Sequence, residues 1–201
     1  VARQEFVFKN RGLLLSLPAA ALTILGRPSA ASIALGVPLA LAGELIRCWA
    51  VGYSGATTRN DEVTAPQLVT GGPYGYVRNP LYIGNFVTAA GFAIAFTGKN
   101  SRAARWALVG GSLAAMAAVY ATIVPHEEAF LRSKFGEAFE RYCERVPRLI
   151  PRPPATSSGQ AEPLAVDEGT WDAGALVEAE SKTFALFGAM LAALAVKARG
   201  A

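Results

Sequence analysis

Apolar residues in this chain arrive in blocks rather than at the period of a soluble helix or strand. Gly12 to Leu25, Ala30 to Val51, about Leu81 to Phe96 and Ala103 to Val124 are apolar and long enough to predict membrane-crossing helices. The turns Gly26-Arg27-Pro28-Ser29 and Thr97-Gly98-Lys99-Asn100-Ser101 are short, so the four runs pair into two helical hairpins. Arg3, Lys9 and Arg11 ahead of the first run also fit a signal peptide, while the tight turn behind it favours a retained span. Pro125 is expected to stop the fourth helix. Glu127 to Arg145 then reads as one charged amphipathic helix at the membrane surface, with Phe130, Leu131, Phe135 and Phe139 on its apolar face. Pro151 to Pro163 reads as a linker. A last helix follows whose apolar part, Phe184 to Val196, is short for a full crossing, which leaves a fifth span or an interfacial helix open. The expected class is all-α: a polytopic helical membrane protein with four to five transmembrane helices and a cytosolic amphipathic helix. Its membrane domain covers 1–150, its linker 151–163 and its C-terminal helix 164–201.

Composition fits that pattern, with 52% apolar and 17% charged residues. The formal charge of +4 would admit a nucleic-acid partner. The basic residues are dispersed through loops and helix ends, however, which membrane topology explains, and no nucleic acid is expected. With the N-terminus inside, thirteen of the 19 lysines and arginines fall on the inner side, Arg59, Arg148 and Lys182 among them. The positive-inside rule therefore turns the segments before Leu81 and after Val124 to the cytoplasm. Cys48 and Cys143 have no paired spacing and are expected as free thiols. With one histidine and two isolated cysteines, no metal site is expected.

Candidate chemistry sits in Leu68-Val69-Thr70-Gly71-Gly72-Pro73-Tyr74-Gly75-Tyr76-Val77-Arg78-Asn79-Pro80-Leu81-Tyr82-Ile83-Gly84. Tyr74, Tyr76 and Tyr82 offer flat faces with polar tips, suited to an adenine or to a headgroup boundary. The interleaved glycines favour close approach of backbone to a ligand. Arg78 either snorkels to headgroups or clamps a carboxylate in bidentate fashion. Two spans later, and so on the same side, comes Pro125-His126-Glu127-Glu128. Its glutamates either cap the helix that follows or face a cosubstrate carrying an amine and a sulfonium. His126 reads as a helix-start or interface residue. Glu44 and Arg47, three residues apart on the second span, read as a structural pair.

Together these pieces resemble the isoprenylcysteine carboxyl methyltransferase family and its phospholipid methyltransferase relatives. The match lies in Leu68-Val69-Thr70 leading to Gly72-Pro73-Tyr74, in Tyr76, Arg78, Pro80, Tyr82 and Gly84, and in Glu127-Glu128, Phe135-Gly136, Tyr142 and Arg145. It extends from about Gly43 to Pro151. The resemblance implies a multi-pass membrane enzyme, its active site facing the cytoplasm, that binds S-adenosylmethionine. A methyl group would pass to a lipophilic acceptor, either a membrane lipid or a prenylated small molecule. It implies Leu68, Gly72, Tyr76, Arg78, Asn79, Tyr82 and Glu128 as cofactor-site residues, and Arg78, Glu127 and Glu128 as catalytic ones. The family's commonest pattern has histidine where this chain has Asn79, which hydrogen-bonds but takes up no proton at neutral pH. A sulfonium is already activated, so positioning in a dry pocket is the main demand. A carboxylate acceptor needs no base whereas an amine must first lose a proton, and the scarcity of bases beyond His126 and the glutamates leans toward a carboxylate.

Two other readings compete. One is an NADPH-dependent membrane reductase of the sterol type, for which this chain offers little polar surface to hold so large a dinucleotide. The other is a non-catalytic adaptor whose arginine loop binds anionic headgroups, a role with no use for paired glutamates beside the loop. The glycine-rich strand-to-helix turn of soluble nucleotide-binding folds is missing from the chain.

Overall fold

A computed structural model of the chain describes residues 2–55, 65–153 and 170–200, and every regular element among them is helical. The order is α1 (Ala2–Lys9), α2 (Arg11–Leu25), α3 (Ala30–Ser54), a 3-10 turn (Gly72–Gly75), α4 (Pro80–Phe96), α5 (Arg102–Phe135), α6 (Glu137–Arg145) and α7 (Ala173–Arg199). The apolar blocks thus become helices, as their lengths require in a membrane, where backbone groups must be satisfied within the segment. Helices α3, α5 and α7 are long and apolar enough to cross a bilayer, whereas α2 and α4 are shorter apolar helices of 15 and 17 residues.

Two expectations need correction. Pro125 does not stop the fourth helix: α5 runs through it to Phe135. Proline removes one ladder hydrogen bond, but the turns beyond it carry the ion pairs of Glu128 and the packing of Leu131 and Phe135, which offset that loss. The helix ends instead at Gly136, whose φ of +51° is a backbone that residues with side chains rarely adopt. The single amphipathic helix expected over 127–145 is therefore two, the end of α5 and a separate α6. The last helix, α7, is long and apolar enough to cross a bilayer. Glu178, Glu180 and Lys182 lie within its 27 residues, upstream of the apolar part. Asp172 caps it, Oδ1 accepting from the N–H groups of Gly174 at 2.7 Å and Ala175 at 3.4 Å. Arg59, most of the linker read over 151–163, and residues 164–169 lie outside the described residues.

The chain divides into two compact units. One comprises Val1–Leu45, Gly84–Ile123 and Ser181–Ala201. Its core is Leu22, Ala40, Phe92, Ala93, Ala95, Phe96, Met190 and Leu194. Here α3 and α4 meet backbone to backbone: a side chain at Gly36 would run into Gly91 and Ala95, and one at Gly91 into Ala40. Small residues serve this purpose in lipid, where helices associate by close packing rather than by escape from water. The two hairpin turns are tied together, the Arg27 N–H donating to Asn100 Oδ1 at 2.7 Å and the Lys99 N–H to the Arg27 carbonyl at 2.7 Å. Ser29 and Ser32 cap the start of α3 reciprocally, each N–H donating to the other's hydroxyl. Lys197 Nζ donates to the carbonyls of Ile24 and Gly26 at the end of α2, a favourable site for a cation.

The second unit comprises Ile46–Ile83 and Val124–Glu180. Its core is Leu68, Phe139, Tyr142 and Val146, backed by Leu131, Phe135, Ala138 and Cys143. The apolar face of α6 is thus spent on protein, with Phe139 and Tyr142 at 1% and 2% exposure. Arg47 and Glu180 form a buried ion pair at 2.7 Å. This contact is made across 133 residues of chain.

Candidate functional site

Both polar clusters picked out by the sequence, Gly84 apart, lie in the second unit, and they converge. The loop before α4 is shaped at Gly72, where φ is +55° and a side chain would collide with the Tyr53 ring. The Gly72–Gly75 turn follows, and the Tyr142 hydroxyl donates to the Tyr74 carbonyl at 2.8 Å. Residues 146–152 then run beside the loop as a strap. The Arg78 N–H donates to the Pro147 carbonyl at 2.9 Å, the Arg152 N–H to the Tyr76 carbonyl at 3.0 Å, and Asn79 Nδ2 to the Arg148 carbonyl at 3.1 Å.

At the centre is Glu128, its side chain 4% exposed, held between two guanidinium groups. Arg78 Nε and Nη2 each donate to Glu128 Oε1 at 3.1 Å. Arg148 Nε donates to the same oxygen at 3.1 Å, and Arg148 Nη2 donates to Oε2. Arg78 also donates from Nη1 to the carbonyls of Val146 at 2.7 Å and Cys143 at 3.2 Å. Such charge-assisted bonds are about twice as strong as neutral ones. Arg78 was expected to clamp a carboxylate; the one it clamps in this structure is that of Glu128.

One residue earlier, Glu127 Oε1 accepts from the Tyr82 hydroxyl at 2.8 Å. Tyr76 is 40% exposed and Trp49 43% exposed, their rings tilted at 58° with centroids 6.0 Å apart, so two aromatic faces meet at an open corner. Desolvation pushes the Tyr74 phenol up to about 12, against the opposing hydrogen bond from Ser54. Burial likewise raises the Cys143 thiol, against the nearby charge of Arg78.

Of the expected residues, Arg78 meets Glu128, Tyr82 meets Glu127 and Asn79 meets the Arg148 carbonyl, all within this unit, and Tyr76 joins through the strap. Leu68 is packed into the core at 3% exposure and Gly72 shapes the loop, so these two support the site from below. Sequence reasoning missed Arg148 and Trp49. Arg148 stood in a run with Arg145 and Arg152 and was counted only as a topology signal. Trp49 lay inside an apolar run and carried no mark of its own. Among the described residues no three of His, Cys, Asp and Glu form a group able to hold a metal ion.

The sequence profile described as phospholipid methyltransferase matches residues 31–138. Among curated proteins, the cobalt-zinc-cadmium resistance protein CzcN of Cupriavidus metallidurans is 36% identical over 118 residues, 59% of this chain and 47% of that protein. The nickel-cobalt-cadmium resistance protein NccN of Alcaligenes xylosoxydans xylosoxydans is 35% identical over the same length and shares. The protein-S-isoprenylcysteine O-methyltransferase of Schizosaccharomyces pombe is 36% identical over 84 residues, 42% of this chain and 33% of that protein. The chain thus spans about half or less of the length of the curated relatives it matches. No solved structure matches it significantly.

Proposed function

This chain belongs to the phospholipid methyltransferase family, and on that premise we propose that it is a membrane methyltransferase that uses S-adenosylmethionine and methylates a lipophilic acceptor at the cytoplasmic face. The observation that carries the reading is the meeting of Arg78 with Glu128 across 50 residues of chain, with Tyr82 on Glu127 beside it. This donor set suits the cosubstrate. Carboxylates are available for its amine and sulfonium, a guanidinium for its carboxylate, and the Trp49 and Tyr76 faces for its adenine.

When bound, the cosubstrate supplies a methyl group on a positively charged sulfur. Glu127 and Glu128 would hold its charged end, and the methyl group would pass to an oxygen, nitrogen or sulfur of the acceptor, leaving S-adenosylhomocysteine. The residues have little bond-making to do. Glu127 and Glu128 favour positive charge nearby, and Arg78 fixes the Glu128 carboxylate. A carboxylate acceptor arrives ionised and needs no base. An amine acceptor must shed a proton, for which Glu127 is the available carboxylate.

Calorimetric titration of the detergent-purified chain with S-adenosylhomocysteine tests the first half of the proposal. Transfer of a labelled methyl group into extracted membrane lipids or a prenylated cysteine analogue tests the second. Binding in the micromolar range, lost in Arg78→Ala and Glu128→Ala, is expected. A folded chain that binds NADPH and no S-adenosylhomocysteine would overturn the reading.

A further inference from the structure

Arg148 lies beyond the span of the family match, which ends at residue 138, and it holds the same carboxylate as Arg78. We propose that the Glu128–Arg148 ion pair is a latch displaced by the cosubstrate: its amino-acid end inserts between the two side chains, ammonium on Glu128 and carboxylate in the fork of Arg148. This inference rests on the methyltransferase reading above.

The two arginines are not equivalent. The Arg78 side chain is 11% exposed and is pinned by two backbone carbonyls in addition to Glu128. The Arg148 side chain is 49% exposed, and its guanidinium bonds go to Glu128. A half-exposed guanidinium has water as an alternative partner, so releasing it costs little. A carboxylate as buried as Glu128 must keep a cation, and Arg78 supplies one before and after the exchange. The Arg148 backbone stays in place because its carbonyl accepts from Asn79 Nδ2 at 3.1 Å, so the movement is confined to the side chain.

The ligand chemistry follows from what the exchange leaves behind. Once Arg148 turns outward, Glu128 lacks its second cation and the Arg148 fork lacks its anion. An α-amino acid carries an ammonium and a carboxylate on one carbon and satisfies both at once, exchanging one ion pair for two with no net charge buried. A ligand with the amine alone satisfies only Glu128. Arg148 is thus a specificity device for the amino-acid tail, whereas Arg78 is a fixed support.

The test uses the whole detergent-purified chain and two ligands: S-adenosylhomocysteine and its analogue that keeps the amine but lacks the carboxylate. Arg148→Ala should weaken S-adenosylhomocysteine roughly 10- to 100-fold, the value of one charged hydrogen-bonded pair. The analogue should bind within about threefold of its wild-type affinity, or tighter, because Glu128 is no longer contested. Arg148→Lys keeps the charge without the fork and should recover part of the loss. Equal loss for both ligands would show a merely structural role and overturn the proposal, as would no loss for either. A wild type that binds neither ligand would sink the methyltransferase reading itself. A wild type that binds S-adenosylhomocysteine while Arg148→Ala binds it equally well would sink the latch alone.

Discussion

Replacing Glu128 by glutamine removes the charge on which two guanidinium groups converge, and the structure separates their shares. Glu128 is buried, Arg78 is nearly so, and Arg148 is half exposed. Removing one partner of a buried pair costs about 3–5 kcal/mol, since the other charge is left uncompensated. Arg78 retains the Val146 and Cys143 carbonyls and glutamine still offers an acceptor, so Glu128→Gln should cost about 3 kcal/mol, the lower end of that range. Arg78→Ala should cost a similar amount, and Arg148→Ala about 1 kcal/mol or less. Cys143 reports the effect directly. Its carbonyl is an Arg78 acceptor, and its half-buried thiol, its pKa raised by burial, alkylates slowly until the site opens. In a Cys48→Ser background, where opening limits reaction, about 3 kcal/mol corresponds to roughly 100-fold faster labelling for Glu128→Gln and Arg78→Ala. Arg148→Ala should accelerate labelling by less than about tenfold. Equal acceleration by Arg148→Ala and Arg78→Ala would refute the ranking. So would a Glu128→Gln protein that labels within about threefold of wild type.

Other perturbations read out separate parts of the structure. Gly72→Ala meets both a positive φ and the Tyr53 ring, so it should lower the thermal midpoint by several degrees and weaken cofactor binding, measured by unfolding in detergent and by titration. Gly91→Leu would force α3 and α4 apart at Ala40 and should abolish a monodisperse peak in size-exclusion chromatography, whereas the same change at exposed Gly110, which faces open space, should not. Tyr142→Phe removes the bond to the Tyr74 carbonyl and should cost about 1 kcal/mol by denaturant titration. The raised Tyr74 pKa stabilises the fold fully below the ordinary phenol value of 10.0, and that contribution is lost as pH rises through about 12. Tyr74→Phe should therefore flatten the alkaline limb of a stability profile, and an unchanged limb would exclude Tyr74 as its cause.

The helices were legible because a membrane leaves the apolar run as both composition signal and structural unit. Ala30 to Val51 and Leu81 to Phe96 were found within a few residues of α3 and α4. Local signals misled where tertiary contacts outweighed them. Pro125 is a helix breaker by rule, yet the ion pairs of Glu128 and the packing of Phe135 hold α5 together past it. Gly136 carried the opposite lesson: noted with Phe135 only for the family resemblance, it sets the turn between α5 and α6. The site was half legible. Arg78, Tyr82 and the glutamates stand out as polar groups at the ends of apolar runs, where charge needs a reason. Arg148 and Glu180 did not, because their partners lie 20 and 133 residues away and nothing in their neighbourhoods marks them. Long-range ion pairs leave no period in a sequence.

The strap beside the loop that precedes α4 also orders events during synthesis. Arg78 and Tyr76 emerge from the ribosome well before their partners: the carbonyls of Cys143, Val146 and Pro147 and the amide of Arg152 lie 65 to 76 residues downstream. At about 5–20 residues per second that is an interval of roughly 3–15 s. During it, the α4 span can already enter the bilayer while the loop beside it lacks the groups that shape it. The hydrogen bonds that shape the loop are therefore completed late, when residue 152 clears the exit. A chain truncated between Phe135 and Pro147 would carry most of the conspicuous motif, insert its spans, and still have no finished site.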